Sequence, residues 1–249
     1  MHTRNRILIL GYRVVFLVLC SIGIMGHMSV DDPVQNINTL AFFTIHSNLF
    51  CLGIVLFEAY NDFMYLKHGR KHRYGSMYYQ LKGVALLVIS ITCLTYNYIL
   101  TPLGFHMVEE YHIEADLGST LHDRIVHFIV PAMMWVEYLL FQPKGHYGRL
   151  DPLKWYVAPL IYFVFIMIRA RQISPAVFSR GVVKYPYFFL DVETYGVGYV
   201  IGYVFMFSVV TLVIGYVIRA IDFLGKMIYT KVINYADSSI NEEINTRHR

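Results

Sequence analysis

LHDRIVHFIVPAMMWVEYLLF, residues 121–141, is long and apolar enough to cross a bilayer as one helix. Its charged residues sit toward the two ends, Asp123 and Arg124 at the start and Glu137 near the finish, and His127 lies between them inside the apolar part. Pro131 follows His127 by four places. A helical proline clashes with the carbonyl four residues back, so the pair predicts a kink with free space beside the imidazole. A lone histidine on an apolar helix is more often a packed, hydrogen-bonded residue than a catalyst, and the remaining spans have to weigh against that prior.

Working outward, the chain of 249 residues is 56% hydrophobic and 15% charged, a composition far from that of a soluble domain. An all-α polytopic membrane protein is expected, with Tyr and Phe supplying aromatic belts and an aromatic-rich interior. The formal net charge of +4 collects in alternate loops, so it reads as membrane topology and not as a nucleic-acid surface. Cys20, Cys51 and Cys93 fall inside predicted spans without paired spacing, which implies neither a disulfide framework nor a Cys-based zinc site.

Six spans are read. Ile7 to Met28 is a retained first helix, too long for a signal peptide, in which Arg13 must snorkel or face the bundle. Leu40 to Leu66 and Leu81 to Leu103 are the second and third, separated by the basic run KHGRKHR at 67–73. Leu121 to Phe141 is the fourth. Trp155 to Ile168, with fourteen apolar residues, is short for a span and is left as either spanning with snorkelling flanks or re-entrant. Tyr195 to Ile218 is the sixth. Residues 1–220 thus form the bundle and residues 221–249 a polar, flexible tail.

Lys and Arg concentrate in the leader, in 67–73, in 142–154 and in the tail, whereas the loops before spans two and four hold none. By the positive-inside rule both termini are cytoplasmic in a multi-pass cell-membrane protein, the bacterial inner membrane being the expected site. Only the loop between spans five and six dissents, with Arg169, Arg171, Arg180 and Lys184.

Span two opens with FFTIHSN, residues 42–48, a dense set of hydrogen-bonding groups for an apolar helix. Thr44 and Asn48 are one turn apart on one face. Spans two and four start on the same side, which puts Thr44 roughly 6 Å and His127 roughly 9 Å below that surface at ~1.5 Å per residue. A Thr hydroxyl is a weak nucleophile that needs a base within hydrogen-bond reach, and histidine is the usual one. Thr44 as nucleophile and His127 as base are therefore the candidate catalytic pair. Asn48 is a candidate oxyanion donor, and Asp123 or Asp191 a candidate to orient the imidazole. Against all of this, Thr and Ser in membrane helices commonly bond back to their own carbonyls.

The FTIHSN run, the His127-x-x-x-Pro131 pair and the segment YPYFFLDV at 185–192 resemble the bacterial branch of a six-helix integral membrane family. Its distant animal relatives are the androgen-induced and androgen-dependent membrane proteins. The resemblance runs from about Leu8 to Ile218. Those relatives are threonine hydrolases of fatty acid esters of hydroxy fatty acids, and carrying their two residues over by motif gives Thr44 and His127 again. The resemblance implies a membrane-lipid ester as substrate and no cofactor. The residues flanking both positions depart from the animal pattern, which leaves the substrate open.

A small-solute or proton-coupled transporter using Glu58 and Glu137 is the competing class, since ionisable residues in spans are costly. A non-catalytic protein whose polar groups only lock helices together is the third. His106, His112 and His122 have no standard zinc spacing, so no metal is expected.

Overall fold

The computed structural model describes residues 3–69, 72–101 and 120–247. Parts of two sequence features, the acidic loop with His106 and His112 and the centre of the 67–73 basic run, lie outside the described residues. The described chain is all-α, and six helices are long and apolar enough to cross a membrane. They are α1 (Thr3–Met25), α3 (Phe43–His68), α4 (Ser76–Leu94), α5 (Leu121–Phe141), the pair α6 (Asp151–Trp155) and α7 (Val157–Gln172), and α10 (Val197–Arg247). Short helices α2 (Pro33–Thr39), α8 (Pro175–Phe178) and α9 (Val192–Tyr195) lie in the connections.

The fifth apolar run is longer than its fourteen apolar residues suggest. Asp151 and Pro152 start it early, and Arg169 to Gln172 continue it, so Asp151–Gln172 reaches 22 residues. Residues beyond 220 also differ from the expected tail: α10 runs unbroken for 51 residues. No proline or further glycine follows Gly225 to stop it, and apolar residues recur as far as Val232.

Helix α4 is the centre of the bundle, with 56% of its most apolar window buried against 17% for α10. It packs on α3, α5 and α10, while α1 lies against α3 and α5. Its core residues Leu86, Leu87 and Ile89 are fully buried beside Phe16, Val55, Met134 and Trp155. Glycine sets the closest approaches. A Cβ on Gly23 would lie 2.6 Å from Ile125, and Gly26 faces the His122 ring, so α1 crosses α5 within a turn or two of His127. A second apolar cluster, including Tyr96, Leu100, Ile166, Tyr187 and Phe189, covers the end of the bundle where α3 begins.

The loop between α7 and α10 is held by named bonds. Asn38 donates to the Gly181 carbonyl at 2.8 Å and accepts from Val183 N–H at 2.9 Å. Arg169 donates to the Val183 and Lys184 carbonyls, and Lys184 pairs with Glu193. Two of the four cations that dissent from the charge count therefore have local work within this loop.

Candidate functional site

At one end of the bundle, Arg13 from α1, Glu58 and Asp62 from α3, Lys82 from α4 and Glu137 from α5 meet inside the protein, all nearly or fully buried. Arg13 lies 2.6 Å from both Asp62 and Glu137, and 3.6 Å from Glu58. Lys82 bridges Glu58 at 2.8 Å and also reaches Glu137. Arg6 adds a bond to Asp62 at 2.7 Å, and the Tyr78 hydroxyl bonds Glu58. Three cations thus match three carboxylates, and Arg13 faces the bundle. Glu58 and Glu137, the acids on which a transporter reading rests, are both ion-paired within it.

The site at the other end starts from Thr44, the second residue of α3. Further along the helices, hydroxyls bond back as expected: Ser90 to Leu86, Thr92 to Val88 and Ser47 to Thr44. Thr44 has no helical carbonyl behind it. Residue 40 precedes the helix, and its carbonyl is taken by His46 at 2.8 Å. The Thr44 hydroxyl instead meets His127 Nε2 at 3.1 Å. The other ring nitrogen, Nδ1, lies 3.0 Å from the backbone carbonyl of Asp123. A carbonyl only accepts, so Nδ1 carries the proton and the neutral ring presents a bare Nε2 lone pair. The Thr44 hydroxyl must then be the donor in its bond to Nε2.

Why the imidazole sits here follows from Pro131. Residues 125–129 form a wide turn in which Val130 N–H reaches back five residues to the Ile125 carbonyl. In that register the partner of the Val126 carbonyl is residue 131; in the ordinary helical register residue 131 is the partner of the His127 carbonyl. Proline supplies neither bond. Two asparagines from neighbouring helices fill in: Asn48 donates to Val126 O at 3.1 Å, and Asn97 donates to His127 O at 3.2 Å. The space expected beside the imidazole is occupied by Tyr96, whose ring stacks on it at 3.5 Å and 9°.

Asp123 faces the imidazole as expected, whereas Asn48 and Asp191 take different parts. Asn48 spends its two N–H bonds on the Thr44 and Val126 carbonyls, leaving no donor for an oxyanion. Asp123 holds the ring through its backbone; its carboxylate accepts from Thr120 and is 3.9 Å from Nδ1. The Asp191 carboxylate accepts from Glu193 and Thr194 N–H and caps α9, while Asp123 O holds Nδ1. Asn97 and Tyr96 were not singled out from sequence. An asparagine deep in an apolar span, opposite a helix with a proline, was the available signal for Asn97.

Thr44 opens onto a cavity whose empty space, ≈ 780 Å³ with the open solvent at its mouth included, is walled by α3, α4, α7, α10 and the 187–190 segment. The walls are predominantly apolar, among them Ile91, Leu100, Leu160, Phe163 and Phe207. Of the histidines weighed as metal ligands, His122 packs over Gly26 and His127 is engaged by Thr44 and Asp123.

Comparison with protein-family models, with curated proteins and with solved structures returned no match.

Proposed function

We propose that this chain is an intramembrane hydrolase of lipid (fatty acyl) esters in which Thr44 is the nucleophile and His127 the general base. The observation that carries the reading is the 3.1 Å bond from Thr44 to His127 Nε2, with the ring's proton fixed on Nδ1 by Asp123 O. The apolar cavity beside Thr44 supports an acyl chain as the bound group. The family resemblance of the sequence points the same way.

In the acylation step the Thr44 oxygen attacks the ester carbonyl carbon, its proton passes to Nε2, and the carbonyl electron pair moves onto oxygen. Collapse of that intermediate breaks the ester C–O bond, and the leaving alcohol takes the proton from Nε2. Water then repeats the sequence on the acyl-threonine, with Nε2 accepting its proton and returning it to the Thr44 oxygen, releasing the fatty acid. Part of the same proposal is a setting in the bacterial cytoplasmic membrane with both termini in the cytoplasm, which puts the ester near the outer headgroup boundary.

The test is labelling of purified protein by a fluorophosphonate, comparing wild type with Thr44→Ala and His127→Ala. Labelling of wild type that disappears in both variants is expected. A folded wild type that is never labelled, together with acyl-ester hydrolysis unaffected by Thr44→Ala, overturns the reading.

A further inference from the structure

An ester hydrolase needs a donor aimed at the oxygen that becomes negative, and the side chains nearest Thr44 are mostly committed elsewhere. Asn48 is bonded to two carbonyls, and Ser47 and Thr92, paired at 2.7 Å, share their two protons between that pair and the Thr44 and Val88 carbonyls. Tyr187 is differently placed. It is 6% exposed and lines the cavity together with Thr44. Its ring is clamped by Phe189, stacked at 5.0 Å, and by the edge of Phe42 at 5.5 Å.

Helix α3 begins without a side-chain cap from Phe42, so its first N–H groups need acceptors. Phe43 N–H donates to the Tyr187 hydroxyl oxygen at 3.1 Å, and the Tyr187 hydroxyl is also within reach of the Thr44 N–H and side chain and of the Tyr162 hydroxyl. The phenol oxygen is thereby used as an acceptor, and its own proton turns to neutral hydroxyl oxygens, those of Thr44 and Tyr162. The neighbouring Tyr162 hydroxyl spends its proton on the Ala41 carbonyl at 2.8 Å.

We propose that Tyr187 is the oxyanion donor of this site, its hydroxyl polarised by the first N–H groups of α3 and directed at the acyl oxygen as the Thr44 oxygen bonds to the carbonyl carbon. This rests on the hydrolase reading above. In the resting site the phenol proton faces only neutral acceptors. In the tetrahedral intermediate it faces a full negative charge, so the interaction strengthens in the transition state and raises kcat. Positive polarity at the helix start acts in the same direction. Burial, the largest influence, pushes the Tyr187 hydroxyl up to about 12, so it remains protonated at neutral pH.

The experiment measures kcat and KM for a p-nitrophenyl acyl ester with the full chain in detergent, for wild type, Thr44→Ala, Tyr187→Phe, and protein with 3-fluorotyrosine at 187. Expected are loss of hydrolysis in Thr44→Ala and a fall in kcat of ~10²–10³-fold in Tyr187→Phe with KM unchanged. The fluorinated phenol, a stronger donor that keeps the hydroxyl, is expected to hold the fold and shift kcat but not KM. A Tyr187→Phe protein within about threefold of wild-type kcat, beside an inactive Thr44→Ala, overturns the Tyr187 assignment alone. If Tyr187→Phe fails to fold, an unchanged kcat in the fluorotyrosine protein overturns it. Full hydrolysis by Thr44→Ala removes the nucleophile reading and the Tyr187 assignment with it.

Discussion

The two ends of the bundle bury comparable numbers of polar groups and treat them in opposite ways. Around Arg13 and Lys82, formal charges are matched one for one and the side chains close on each other. Around Thr44 and His127 the side chains are held by directional hydrogen bonds and not by matched ion pairs, and Thr44 faces an open cavity. The first arrangement welds α1, α3, α4 and α5 together. The second sets the Thr44 oxygen and His127 Nε2 at contact distance, the preorganisation that the proposed catalytic pair requires.

Substitutions that separate the two ends give the largest effects. Thr44→Ala or His127→Ala should lower acyl-ester kcat by ~10⁴-fold or more with little change in the unfolding temperature. Lys82→Met should do the reverse. Leaving Glu58 buried without its nearest cation costs about 3–5 kcal/mol of stability, read by thermal or denaturant unfolding in detergent. Pairing it with Glu58→Leu should recover most of that loss, because the remaining charges of the cluster again balance. If Lys82→Met unfolds like wild type, the weld is not where the stability lies.

The link between the ends and the site is sharpened by Pro131→Ala. Restoring an N–H at 131 lets the wide turn at 125–129 revert to ordinary helix, and displacing His127 by about 1 Å should cost ~10²-fold in kcat while the protein becomes no less stable. Asn48→Leu leaves the Val126 carbonyl bare and should cost ~1–3 kcal/mol.

The smallest effect belongs to His146, in the loop after α5, where burial lowers the imidazole below its usual range and its ring stacks on Tyr79 at 3.6 Å. Its unfolded form protonates first as pH falls below about 6.5. Stability should therefore decline modestly through that window and recover as pH rises. A His146→Phe protein should show a shallower dependence in pH-resolved unfolding curves.

Much of this was legible in the chain. Length and apolarity of the spans, the pairing of His127 with Pro131 and the common depth of Thr44 and His127 are all local properties, and local properties survive in a one-dimensional reading. The extent of the fifth span was less so, because Asp151 and Arg169 look like boundaries until their side chains find partners in Lys154, Gln80 and the Val183 carbonyl. The parts of Asn48 and Asp191 were misread for a related reason: a residue type indicates what a side chain can bond, not which partner it meets first.

Sequence by itself determined that the protein is a six-helix membrane bundle and which Thr and which His stand at matching depth, since hydrophobic length and helical rise are fixed by composition and geometry. Only the tertiary structure decided that the two touch, that Asp123 O sets the tautomer, that Asn48 and Asn97 repair the carbonyls Pro131 abandons, and that Tyr187 stands over the start of α3. Each of those is a contact between helices distant in sequence, and its bond direction depends on atoms whose positions no single helix specifies.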